Sequence, residues 1–217
     1  MPMLQPWPFY NQLKDWTVDV DGVDENAKNN CGPESVAMCL KYLTGVELPA
    51  DFIKDVMKGP LYTGYTFTSD LTKFLEEKCE IPCEVHNGNA QTMLQPVVQR
   101  AIDNGYPIIV LYFWNINQPE SGHWAPVIAY DSQGCTRMNP WGGVLEQWSW
   151  RKFERWQKYG NCIVLKRTRD KNLDEDTRDG TINPLTNLIR ARQQEARAYV
   201  EAALLRGAES VDDVLGQ

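Results

Sequence analysis

The chain has 217 residues, 42% hydrophobic and 24% charged, with 22 basic against 29 acidic side chains and a net charge of −7. That is ordinary globular composition with material for one good core, and the acidic balance, with no basic cluster, argues against a nucleic-acid-binding face. The longest strongly apolar run, residues 107–114, is far too short to cross a bilayer. The opening MPMLQPWPFYNQ also lacks the positive n-region and continuous apolar stretch of a secretory signal. A soluble product, cytoplasmic as made, is therefore expected, with no membrane or nucleic-acid partner. Six cysteines are too sparse for a disulfide scaffold and are read as reduced thiols.

In chain order, residues 31–43 read as a helix with Val36, Leu40 and Leu43 on one face and Gly45 closing it. Residues 49–57 form a shorter helix with Pro49 near its first turn. Ser69 is expected to cap a third helix, 70–78, that buries Leu71, Phe74 and Leu75. A fourth, 91–103, ends at Asn104-Gly105 and tolerates Pro96 only in or near its first turn. The second half changes character: residues 107–113, 123–130, 135–139 and 161–167 are short apolar or β-branched runs bounded by turn residues, with a short helix at 150–158. Helices first and sheet second predict an α+β fold with segregated layers. Residues 1–167 are assigned to this domain. A charged linker follows at 168–184. The segment 185–217 then carries a helix with an apolar stripe over 185–206, a docking element for a protein partner or for self-association.

The segment NNCGPESVAMCLKYLTG, residues 29–45, carries the chemistry. A cysteine at the mouth of a helix has its thiolate stabilised by the helix dipole and by backbone N–H groups without intrahelical partners. Gly32 allows close substrate approach, and Pro33 suits the first turn. A nucleophilic thiolate needs a proton acceptor, and the chain has two histidines. His123 opens an apolar strand after Ser121-Gly122, whereas His86 sits between a short run and a turn. A third group should hold the imidazole. The strand after His123 turns back through residues 131–134 and ends at Asn139-Pro140-Trp141, which favours Asn139; Asp131 lies at the far turn. A metal site at Cys79, Cys83 and His86 lacks the second paired ligand set of structural zinc, and Cys79 is expected at the end of its helix, packed inward. Neither metal nor organic cofactor is needed.

CGPES on a helix, then GHWAPVIAY, MNPWGG, a Trp-rich helix and a closing strand resemble the bacteriocin-leader-processing, C39-like branch of the papain-type cysteine peptidases, over roughly residues 8–167. The resemblance implies a papain-like fold, a peptide substrate, and a glutamine that donates to the oxyanion. Gln12, in Phe9-Tyr10-Asn11-Gln12-Leu13, is the residue that matches. Two departures stand out. Gln12 precedes Cys31 by 19 residues, which implies an inserted loop at 15–29, and the third residue is Asn where this branch commonly has Asp. Family members cut after small residues such as Gly-Gly, and sister groups cut cell-wall peptides. A peptidase with a docking tail suggests a structural or lytic bacteriophage component. The alternatives are an inactive binding or structural module on the same fold, and acyl transfer to another acceptor.

Overall fold

Helix α1 (Cys31–Thr44) starts at the predicted cysteine and ends at Gly45, whose φ of 69° is the left-handed conformation open to glycine and whose N–H closes onto the Lys41 carbonyl. The computed structural model describes residues 2–12, 29–59, 62–89, 91–167 and 169. The predicted inserted loop (Asn29 aside), the linker (Arg169 aside) and the C-terminal helix lie outside the described residues. Every residue of α1 except Lys41 is buried, so it is a core helix and not the one-faced amphipathic helix its apolar spacing suggested.

Helix α2 (Ala50–Lys58) follows Pro49 as expected. Helix α3 (Thr68–Cys79) begins before the predicted Ser69 cap. The capping interaction belongs to Asp70, whose carboxylate accepts the Phe67 backbone N–H at 2.8 Å. It ends on Cys79, which packs inward as predicted. Helix α4 (Gln95–Asp103) is shorter than the predicted 91–103. Pro96 confines the start, because a proline in the helix interior would clash with the preceding turn. The backbone N–H groups of Leu94 and Gln95 at this start both donate to the Glu154 carboxylate, at 3.2 and 2.6 Å.

The six strands are β1 (Cys83–His86), β2 (Ile108–Tyr112), β3 (His123–Tyr130), β4 (Gly134–Asn139), β5 (Val144–Ser149) and β6 (Gln157–Leu165). They form one antiparallel sheet in the order β1-β6-β2-β3-β4-β5. Two features correct the sequence reading. Strand β5 was not anticipated, because an edge strand with exposed Val144 and Leu145 lacks an apolar run. Helix α5 (Trp150–Trp156) also stops sooner than predicted, and β6 starts at 157 rather than 161. Buried Gln157 sets that start: its Nε2 donates to the Thr92 carbonyl at 2.8 Å, and its Oε1 accepts the Gly160 N–H.

Helix α1 packs on β2 and β3, α4 on the same two strands, and α5 on β4 and β5. The N-terminal segment straps β3: Leu4 N–H donates to the Ile128 carbonyl at 2.8 Å, and Tyr130 N–H to the Pro2 carbonyl at 3.3 Å. No described helix is long and apolar enough to cross a membrane.

At Gly134, which pairs with Ser149 at the start of β4, a Cβ would lie 2.0 Å from the Trp148 carbonyl oxygen. A backbone atom cannot rotate away, so Gly134→Ala is expected to destabilise the protein by about 1–3 kcal/mol. The exposed Ser132→Ala should change stability by less than about 0.5 kcal/mol. Urea midpoints of the two variants check this; equal midpoints would contradict the close approach.

Candidate active site

The start of α1 is held by a buried polar network that the sequence reading missed. Asn30 occupies the cap position, but its side chain makes no cap hydrogen bond. Its Oδ1 accepts from Lys54 Nζ at 2.9 Å, and its Nδ2 donates to Asp51 Oδ1. Asp51 and Lys54 are three residues apart on α2 and so share a face, and each is only 1% exposed. Charged groups buried this deeply persist only when paired. The one available sequence signal was that spacing, opposite an Asn beside the helix start.

Cys31 is the first residue of α1 and is buried. Gly32 follows because nothing larger fits: a Cβ there would sit 2.3 Å from Thr66 Oγ1 and 3.2 Å from Trp124 Cδ1. Burial raises the Cys31 pKa, against the Trp124 and Gly32 backbone N–H groups and the Lys54 charge, which favour the thiolate. Desolvation therefore outweighs the helix-terminus effect on which the sequence reading relied, and the resting group is the thiol.

His123 opens β3 and is buried, with its Nε2 2.7 Å from Asn139 Oδ1. A register change brings the two together. The hairpin pairs Tyr130 with Cys135 and Ala129 with Thr136, then shifts so that Val127 opposes Arg137. Simple continuation would have set Asn139 opposite Pro126, on the other face from His123. The extra residue, Ile128, flips the parity, and Arg137 and Asn139 then share the His123 face.

The Asn139 amide is fixed on both sides. Its Nδ2 donates to Glu146 Oε1 at 2.7 Å, and its Oδ1 also accepts the Trp141 backbone N–H at 3.0 Å. The oxygen therefore faces the imidazole, so His123 Nε2 carries the hydrogen and donates, leaving Nδ1 as the acceptor. Asn139 thus serves as a turn residue and as the partner of His123 at once. Glu146 is paired with Arg137 through Nε at 2.8 Å and Nη2 at 2.7 Å. The Arg137 guanidinium lies 3.8 Å from the Trp148 ring centroid and 4.7 Å from that of Tyr112. Trp114 stacks edge-on against His123 at 5.1 Å and against Trp141 at 4.8 Å, covering the histidine. Burial lowers the His123 pKa to about 4, with Arg137 acting the same way and the Asn139 hydrogen bond and Glu146 opposing.

Cys31 and His123 line one cavity of about 270 Å³ with Tyr65, Trp114, Gly122 and Trp141. It adjoins a cleft of about 680 Å³ that also reaches Cys31, walled by Thr66, Phe67, Val85, Leu111 and Trp124. Gln12 is buried, and its backbone N–H donates to the Pro140 carbonyl at 3.0 Å, one residue past Asn139. Gly143 makes room for this segment: a Cβ there would lie 2.8 Å from that of Asn11. The other histidine, His86, is on edge strand β1, 2.6 Å from Glu84. Asp131 binds the Gln133 and Gly134 N–H groups in its own turn.

The sequence model of the Peptidase_C39 like family matches residues 4–164. This chain belongs to that family. The fold is shared with the peptidase domain of Streptococcus ComA, a bifunctional ABC transporter involved in quorum sensing, at a TM-score of 0.51 and 14% identity; the match covers 66% of this chain and 93% of that one. It is shared also with a protein from Bacillus anthracis assigned as a C39-like peptidase, at a TM-score of 0.54 and 15% identity over 77% and 98% of the two chains. None of the curated proteins matches this sequence. Family and fold together indicate a cysteine peptidase of papain-like architecture.

The buried histidine makes stability depend on pH. Its pKa falls from 6.5 to about 4 on folding, so between those values the unfolded chain binds the extra proton and stability drops as pH falls. The loss attributable to this group is about 3 kcal/mol, complete near pH 4. Urea titrations of wild type and His123→Gln at pH 7 and pH 4 should differ by roughly that amount in their pH dependence. Parallel curves would show that His123 is solvated.

Proposed function

We propose that the chain is a peptidase or amidase in which Cys31 is the nucleophile, His123 the proton carrier and Asn139 the group that orients it. The observation that carries this reading is that Cys31 and His123 share one cavity while the histidine's remote nitrogen is tied to Asn139. In the first step the Cys31 thiol gives its proton to His123 Nδ1 as its sulfur attacks the scissile carbonyl. The oxyanion forms at the mouth of α1, where the Cys31 backbone N–H has no intrahelical acceptor, with Gln12 as second donor. Protonated His123 then returns its proton to the leaving amine, giving a thioester. It next takes a proton from the water that cleaves that thioester and passes it to the departing Cys31 sulfur, restoring thiol and imidazole. Because the pair rests as thiol and imidazole, charge separates only during attack, inside a dry site where the Asn139 carbonyl stabilises the imidazolium.

The cavity beside Cys31 is narrowed by Trp114, Tyr65 and Trp141, which favours small residues next to the scissile bond. The wider cleft, walled by Phe67, Val85 and Leu111, suits an apolar portion of the peptide. A Gly-rich peptide or a cell-wall peptide meets the first demand, and apolar residues farther from the scissile bond would meet the second. A lytic or structural role in a bacteriophage is the setting that the sequence architecture suggested for such an activity. We further assign residues 1–167 to the peptidase domain, followed by a linker and a docking tail.

Iodoacetamide labelling followed by mass spectrometry is the direct test. At pH 6, Cys31 should label at least about tenfold faster than Cys135, whose buried thiol is pushed up to about 12. The rate should fall as His123 becomes protonated near pH 4. His123→Ala should remove the advantage, and Cys31→Ala should abolish cleavage of a Gly-Gly peptide. Equal labelling of Cys31 and Cys135, or indifference to His123→Ala, would transfer the case to a binding module on the same fold.

A further inference from the structure

The Glu146 carboxylate is hydrogen-bonded to the Asn139 amide and clasped by Arg137. Cross-strand pairing explains the arrangement. Arg137 directly opposes Glu146, and Asn139 opposes Val144. Arg137, Asn139, Val144 and Glu146 therefore share one face, with Asn139 and Glu146 as diagonal neighbours that a long side chain can bridge. Arg137 is itself 6% exposed, so the carboxylate is held against a fixed cation and cannot swing away.

The geometry points to Glu146 as a positioning residue of the reaction, fixing which end of the Asn139 amide faces His123; this rests on the cysteine-peptidase reading above. An amide has a donor end and an acceptor end of nearly equal size. If Asn139 turned over, Nδ2 would face His123 Nε2, the imidazole would shift its hydrogen to Nδ1, and the ring could no longer accept the Cys31 proton. An ionised carboxylate accepts only, so Glu146 on the donor end, together with the Trp141 N–H on the acceptor end, permits just one amide orientation. An Asp at the third position would need no such guard, since both of its oxygens accept. Asn139 with Glu146 therefore places the same number of negative charges one hydrogen bond farther from the histidine.

A charge-conserving exchange tests the assignment. The titratable and charged groups facing the pair are His123, Arg137 and Lys152, whose Nζ lies 4.2 Å from the Trp148 ring centroid. In Glu146→Gln, the new amide can serve Asn139 only by turning its NH2 toward Arg137, a donor against a donor. In Asn139→Asp, two carboxylates meet where one hydrogen bond stood. In the double variant N139D/E146Q, the introduced amide donates its NH2 to the introduced carboxylate and its oxygen accepts from Arg137, so every group regains a partner. With Cys31 alkylation by iodoacetamide as readout, each single variant should lose about tenfold at pH 6, and the double variant should return to within about threefold of wild type. In the double variant the acid limb should move to higher pH, because a carboxylate then touches the imidazole. Urea midpoints taken on the same samples establish that each variant is folded. If Glu146→Gln does not fold, the contrast between Asn139→Asp and the double variant decides.

Losses that simply add in the double variant, or a Glu146→Gln rate equal to wild type, would overturn the assignment while leaving the nucleophile and base in place. A wild-type Cys31 rate that His123→Ala does not change is a separate result: it overturns the peptidase reading, and the Glu146 assignment falls with it.

Discussion

One surplus residue in β3 governs the candidate site. A strand presents alternate side chains to opposite faces, so the parity of a hairpin decides what can meet across it. Between Ala129–Thr136 and Val127–Arg137 the register changes by one, and everything toward the open end of the hairpin changes face. Asn139 reaches His123 because of that slip, and β5 then aligns Glu146 opposite Arg137. A bulge leaves backbone groups out of the ladder and bends the strand. Here the N-terminal strap ties the bulged stretch down through the Leu4 N–H bond to Ile128. The remote start of the chain thus supports the register on which the polar side chains depend.

The two halves of the site are made rigid by opposite means. On the helical side, charges are driven into the core: Asp51 and Lys54 are held together by the two ends of the Asn30 amide, immediately before Cys31. Removing one member of such a set strands the others in a medium of low polarity, so the network tolerates little displacement of the helix start. On the sheet side, aromatic rings do the enclosing, with Trp114 against the histidine, Trp141 against Trp114, and Tyr112 and Trp148 against Arg137. Both arrangements exclude water. That is why burial lifts the Cys31 thiol and depresses the His123 imidazole.

Much of this was legible. Strand β3 coincides with the predicted 123–130, and α1 differs from its prediction by a single residue at the end, because a strong apolar pattern bounded by Gly, Asp and Pro leaves little choice. Cys31, His123 and Asn139 could be selected by order and context, and strand direction favoured Asn139, which lies beside His123, over Asp131, which binds its own turn. Counting along the hairpin would nevertheless have put Asn139 on the wrong face, since a bulge in a run of buried residues leaves no compositional trace. Strand β5 was hidden for another reason. Its residues Val144, Leu145, Glu146 and Gln147 mix exposed apolar and polar groups, as an edge strand can. The signal that was available lay in Pro140-Trp141-Gly142-Gly143: reading it as a four-residue turn pairs Arg137 with Glu146 and exposes the cross-strand ion pair. The buried charges of α2 were illegible because burial is set by tertiary packing, and an Asp–Lys spacing of three usually marks a solvated face.

The strand order has a consequence for how the molecule comes into being. Strand β6, the last of the sheet in sequence, is not added at an edge; it slots between β1 and β2. Its partners lie far upstream, with Cys83 meeting Leu165 and Ile108 meeting Val164. Contacts between residues so distant in sequence form late, after the loop between them has been closed. A chain emerging from the ribosome therefore displays Cys31, and later His123, well before the strand that unites the sheet is available. Until that strand docks, β1 has no neighbour and β2 has an open edge, and the cleft whose wall runs from Val85 across to Lys158 is not assembled. Maturation of the site is thereby tied to completion of the fold, and Cys31 and His123 face a finished cleft only once the whole sheet has closed.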